Sequence, residues 1–79
     1  MSNGAALLYV EDDRFLAKLV QHRLTGDGHR VVVAGTGIQA LEMAAAQSFD
    51  LLLVDYHLPD MTGVEIIAAL RAAGNQVPV

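Results

Sequence analysis

Cysteine is absent from this chain, which excludes disulfides, thiolate metal sites and a cysteine nucleophile, and a reducing cytoplasm is the compartment that fits. Basic residues are scarce. Five Lys and Arg against nine Asp and Glu leave a formal net charge of −4, and the cations do not cluster. A surface of that sign does not suit a phosphate backbone, so nucleic-acid binding by this segment is not expected. No apolar run approaches the ~20 residues that a membrane span requires. Residues Met1 to Ala5 lack a basic start followed by a long apolar run, so no secretory signal is expected. The 79 residues suffice for one small domain.

What is present alternates. Ala6-Leu7-Leu8-Tyr9-Val10 is a short continuous apolar run that stops at Glu11-Asp12-Asp13, the pattern of a strand buried on both faces. Phe15, Leu16, Leu19, Val20 and Leu24 then recur at helical spacing, with Lys18, Gln21 and Arg23 between them. Asp12 or Asp13 is expected to cap that helix, and Gly26 and Gly28 mark its end. Val31-Val32-Val33-Ala34 reads as a second strand. Thr36-Gly37-Ile38-Gln39 reads as a capping box in which the Thr36 hydroxyl and the Gln39 amide serve the first turn reciprocally. Ile38, Leu41, Met43, Ala44 and Ala45 form the apolar side of the second helix.

Leu51-Leu52-Leu53-Val54 is the third strand and stops at Asp55. Pro59 and Gly63 are structural: Pro59 fixes the loop, and Gly63 permits close packing where the third helix begins. Thr62-Gly63-Val64-Glu65 is a second capping box, followed by Ile66, Ile67 and Leu70 on the buried side. Val77-Pro78-Val79 reads as the opening of a fourth strand. The order β-α-β-α-β-α-(β) implies a parallel sheet covered by helices on both faces.

In a parallel sheet the strands end on one edge. If the first and third are neighbours, Glu11, Asp12 and Asp55 converge in the crevice where open α/β sheets bind ligands. Three carboxylates so close either share a cation or raise at least one pKa. Oxygen donors alone point to a hard ion, and Mg2+ fits. A carboxylate can also attack phosphorus to form an acyl phosphate, with the metal neutralising charge. The cluster thus supports one mechanism: Asp55 attacks, Asp12 binds Mg2+, and Glu11 holds the ion directly or through a water. Tyr9 and Phe15 are read as core, Asp60 as a solvated residue, and His22 and His29 as surface residues.

Tyr9-Val10-Glu11-Asp12-Asp13 after one strand and Asp55-Tyr56-His57-Leu58-Pro59-Asp60-Met61-Thr62-Gly63 after another together resemble the receiver domain of two-component response regulators. The Asp-x-x-Leu-Pro-x-Met-x-Gly run is the specific part. The resemblance implies a flavodoxin-like (CheY-like) doubly wound sheet of strand order 2-1-3-4-5. It implies Asp55 as phosphoacceptor, and Glu11, Asp12, Asp55 and the backbone carbonyl of His57 around Mg2+. The implied donor is a phosphohistidine on a sensor histidine kinase or phosphotransfer protein.

Residues 1–79 cover about three β/α units of that fold and the start of a fourth. The Ser or Thr after the fourth strand and the Lys after the fifth, which contact the phosphoryl group in the family, have no counterpart here. The expectation is weak Mg2+ binding, little or no phosphorylation of this stretch alone, and self-association through an exposed sheet edge. The rival readings are a receiver-like interaction module that never takes phosphate, a phosphatase with an Asp nucleophile and Asp60 as general acid–base, and a purely structural fragment.

Overall fold

A computed structural model describes residues 4–55 and 58–79. Three strands and three helices alternate: β1 (Ala6–Val10), α1 (Arg14–Gly26), β2 (Arg30–Ala34), α2 (Gly37–Ala46), β3 (Leu51–Val54) and α3 (Gly63–Ala72). The sheet is parallel throughout, in the order β2-β1-β3. β1 is therefore central, paired from Ala6↔Arg30 to Val10↔Ala34 on one side and from Leu7↔Leu51 to Val10↔Val54 on the other. Among the described residues no helix is long and apolar enough to cross a membrane.

Successive side chains of a strand point to opposite faces, and β1 uses both. Leu8 and Val10 join Leu52, Ala34, Ala40, Ala44, Ile66 and Leu70 beneath α2 and α3. Leu7 and Tyr9 join Val31 and Ala17 beneath α1. Leu8, Val10, Leu52 and Ile66 are the largest side chains wholly removed from water, each worth about 1.5–3 kcal/mol of burial. This double coverage explains why the strand sequences run apolar without alternation.

α1 departs from the expected apolar face. Its buried residue is Ala17, with Val20 and Leu24 packed around it. With 3.6 residues per turn, Phe15 and Leu19 fall nearly opposite Ala17. Phe15 is 74% exposed and is not core; Leu16 and Leu19 are also exposed. Small Ala17 lets the helix lie close to the sheet, leaving the larger apolar residues outside. Ile38 at the start of α2 is likewise exposed, because Gly37, Ala40 and Ala44 form the sheet-facing side.

The helix ends follow local chemistry. Asp13, not Asp12, caps α1, its carboxylate accepting the Phe15 and Leu16 N–H groups at 3.0 Å each. The α3 capping box between Thr62 and Glu65 is complete. At α2 the reciprocity is displaced: Thr36 Oγ1 accepts from Gln39 N at 3.1 Å, but Gln39 Oε1 reaches past Thr36 to Gly35 N at 2.9 Å. Gly28 and Gly74 have φ of +94° and +82° after α1 and α3, a backbone region that favours glycine. Residues 77–79 are not a strand, yet they lie beside β3, with Leu52 N donating to Pro78 O at 2.8 Å. Arg71 fastens this segment by donating from Nη1 to the carbonyls of Asn75 and Val77. His22 is exposed, but His29 is half-buried and its Nδ1 accepts from Ala5 N.

Candidate functional site: a carboxylate cluster at the strand ends

The backbone ladders continue one residue past the strands. Glu11 N donates to Ala34 O at 2.9 Å, and Asp55 N donates to Val10 O at 2.9 Å. These bonds hold the first residue after β1 and the first after β3 on adjacent tracks at the carboxyl edge. Glu11, Asp12 and Asp55 each offer a carboxylate oxygen, and those oxygens lie within 4.8 Å of one another. Glu11 is buried, Asp55 half-buried and Asp12 exposed, so the cluster opens to solvent through Asp12. Oxygen donors with no imidazole or thiolate make a set that can hold a hard cation.

Glu11 is held from two sides. Asp13 N donates to its Oε2 at 3.1 Å, and the Tyr9 hydroxyl donates to its Oε1 at 3.2 Å. Tyr9 is thus core, as expected, and also a partner of the site. The signal was its spacing: residues two apart along an extended chain share a face. Burial raises the Glu11 pKa above its usual 4.5, and the charge of Asp55 adds to this against the two hydrogen bonds. Burial, then the Glu11 charge, pushes the Tyr9 hydroxyl up to about 12, so Tyr9 remains a donor at neutral pH.

The sign of the pH effect follows. Because the folded chain holds the Glu11 proton more tightly than the unfolded one, it binds more protons above pH 4.5, and this contribution to stability falls as pH rises through the raised value. Without divalent cations, wild type should lose stability relative to Glu11→Gln as pH climbs from about 4.5. Urea melts at a series of pH values measure this; a constant difference between the two chains would refute it.

Asp60 is exposed to solvent, as expected, but its carboxylate is also engaged. Its carboxylate accepts the N–H of Gly37 at 2.8 Å and of Ile38 at 3.0 Å, at the start of α2. These donors, Gly37 first, hold its pKa below the usual carboxylate value. An engaged carboxylate of lowered pKa is poorly placed to act as a general acid. A Cβ on Gly63 would meet Val54 Cγ1 at 3.4 Å, an ordinary van der Waals contact. Pro59 lies exposed in the same connection. Tyr56 and His57, the latter expected to offer a backbone carbonyl, lie outside the described residues.

The response regulator receiver domain family matches residues 7–79. The response regulator MprA of Mycobacterium leprae is 34% identical over 73 residues, covering 92% of this chain and 32% of that protein. The chain therefore spans about a third of the length of the curated relatives it matches. Among solved structures, the chemotaxis response regulator CheY4 of Vibrio cholerae superposes with a TM-score of 0.86 at 33% identity, over 91% of this chain and 60% of that one. The response regulator TrrA of Thermotoga maritima, in complex with Mg2+-BeF, superposes with a TM-score of 0.81 at 25% identity, over 92% of this chain and 61% of that one. The strand order and the edge at which the acids gather agree with the flavodoxin-like arrangement. Sequence match, topology and site converge: the chain belongs to the receiver domain family of two-component response regulators.

Proposed function

We propose that residues 1–79 form the N-terminal, phosphate-accepting part of a receiver, in which Asp55 takes a phosphoryl group from a phosphohistidine while Glu11, Asp12 and Asp55 hold Mg2+. The observation that carries this reading is the meeting of three carboxylates from the ends of two neighbouring strands, with oxygens within 4.8 Å. The Mg2+-BeF bound by the related TrrA supports the choice of ion. Mg2+ would neutralise the charge between the carboxylates and the incoming phosphoryl group.

The chain's own residues do the rest. Glu11 is fixed by Tyr9 and Asp13, and Asp55 is fixed by its bond to Val10. An Asp55 carboxylate oxygen attacks phosphorus, forming a P–O bond. The P–N bond to the donor breaks with its electron pair remaining on the imidazole nitrogen, which takes up a proton from water. Asp55 becomes an acyl phosphate. The partner is a histidine kinase or phosphotransfer protein, and the exposed Phe15, Leu16 and Leu19 on α1, which begins beside the acids, give it an apolar surface to dock on.

Two measurements test the reading. Mn2+ binding to the chain, read from the electron paramagnetic resonance signal of the free ion, should weaken about 10-fold or more in Asp12→Asn and about 100-fold or more in Asp55→Asn. Phosphoramidate should yield a hydroxylamine-labile adduct at low occupancy, dependent on Mg2+ and absent from Asp55→Asn. Mn2+ affinity unchanged by both substitutions, or an adduct persisting in Asp55→Asn, would sink the proposal.

A further inference from the structure

Asp60 belongs to the connection that leads from β3 to α3, yet its carboxylate serves a different helix. Both of its oxygens are used, one on Gly37 N and one on Ile38 N, from 23 and 22 residues away. α2 has no acidic residue in its first turn, and Thr36 satisfies only the Gln39 N–H. The unpaired amides and the positive end of the helix dipole are therefore met from outside.

The neighbouring residue tightens the same joint. A Cβ on Gly37 would lie 2.8 Å from Met61 Sδ and 2.9 Å from Met61 Cβ. The second distance involves the rooted part of the side chain, which cannot swing away, so glycine at 37 is what lets the connection press onto α2. At its other end the connection begins with Asp55, whose N–H is bound to Val10 O, and it closes at the Thr62–Glu65 capping box. The segment that starts with the candidate acceptor is thus tied to β1 at one end and to α2 at the other.

We infer that Asp60 is a positioning residue for the carboxylate cluster: by anchoring the β3–α3 connection on the α2 N-terminus it fixes how Asp55 is presented to Glu11 and Asp12, and so sets the affinity of the cluster for a divalent cation. This rests on the cation-binding reading above. Asp60 itself is no ligand; its carboxylate is committed to the two amides. Asp60 acts through the backbone that carries Asp55; groups that hydrogen-bond a ligand directly change metal affinity about 10- to 100-fold, and the lower end of that range is expected here.

The test uses Mn2+ as probe with four chains: wild type, Asp60→Ala, Asp60→Asn, and Asp60→Ala combined with Gln39→Glu. The last gives α2 a carboxylate of its own in the first turn without restoring the tether. Circular dichroism sets conditions under which each chain is folded. Asp60→Ala should bind Mn2+ about 10-fold more weakly, and Asp60→Asn, which keeps one acceptor oxygen, should fall between it and wild type. Adding Gln39→Glu should recover the unfolding midpoint but not the affinity. Wild-type Mn2+ affinity in folded Asp60→Ala, or recovery of both quantities by Gln39→Glu, overturns the inference and leaves the cluster reading standing. If Asp60→Ala does not fold, wild-type affinity in Asp60→Asn overturns it instead. A wild-type chain that binds no Mn2+ overturns the cluster reading, and this inference with it.

Discussion

Asp55→Asn should make the metal-free chain more stable and, at the same time, indifferent to Mg2+. Three carboxylates with oxygens inside 4.8 Å repel one another. A unit-charge pair at such a separation carries up to about 4 kcal/mol near a protein surface, and solvent at the exposed Asp12 reduces the net effect to about 1–2 kcal/mol. Removing one charge relieves that repulsion while keeping the side chain's shape. In a domain of 60–100 residues each kcal/mol moves the midpoint by about 4–8 °C, so the substituted chain should melt visibly later in EDTA. Saturating Mg2+ reverses the order. At one hundred times its dissociation constant a ligand adds about 2.7 kcal/mol to the form that binds it, and wild type gains this while Asp55→Asn gains little. Thermal melts in EDTA and in Mg2+ read both halves. Equal midpoints in EDTA would mean that the acids are too well solvated to repel; equal gains in Mg2+ would place the ion elsewhere.

Ile66→Ala should be the more damaging change, though it touches no acid. Ile66 is wholly buried, in one cluster with Leu8, Val10, Leu52 and Leu70. It stands one turn into α3, just after the capping box that starts the helix. Truncating it removes burial and leaves a cavity between the helix and the sheet, at a cost of about 2–5 kcal/mol. Total stabilities of roughly 0.05–0.15 kcal/mol per residue put a chain of 79 residues near 4–12 kcal/mol. The substitution should therefore remove a large part of the stability and loosen the helix that follows the Asp55 connection. Val64→Ala is the control: two positions earlier, Val64 is 77% exposed and its loss should stay within about 0.5 kcal/mol. Urea unfolding of both chains checks the contrast, and similar costs at 64 and 66 would show that α3 does not pack as described.

The elements were legible because their signals are local. Five apolar residues ending at Glu11 and four ending at Asp55 coincide with β1 and β3, and the Thr62 capping box lies where its spacing places it. The juxtaposition of Glu11, Asp12 and Asp55 followed from one topological step, the adjacency of β1 and β3, which the sheet order bears out. What local pattern could not give was the choice between overlapping helical faces. α1 carries Phe15, Leu16 and Leu19 on one side and Ala17, Val20 and Leu24 on another, and hydrophobicity alone favours the larger residues. The closeness of helix and sheet decides for Ala17. The engagement of the exposed Asp60 was not legible for a different reason: its partners, Gly37 and Ile38, lie on another helix, and no spacing rule connects a loop carboxylate to amides more than twenty residues back.

The chain has two tyrosines and no tryptophan, and one of those tyrosines rests its hydroxyl on Glu11. Near-ultraviolet emission therefore comes in part from a phenol whose brightness responds to the proton-accepting strength of the oxygen it touches. On the proposed reading, a cation bound at Glu11 would draw electron density from that carboxylate and change the light that Tyr9 gives back. Tyr9 emission would then gauge ion occupancy without a dye, a label or a substitution.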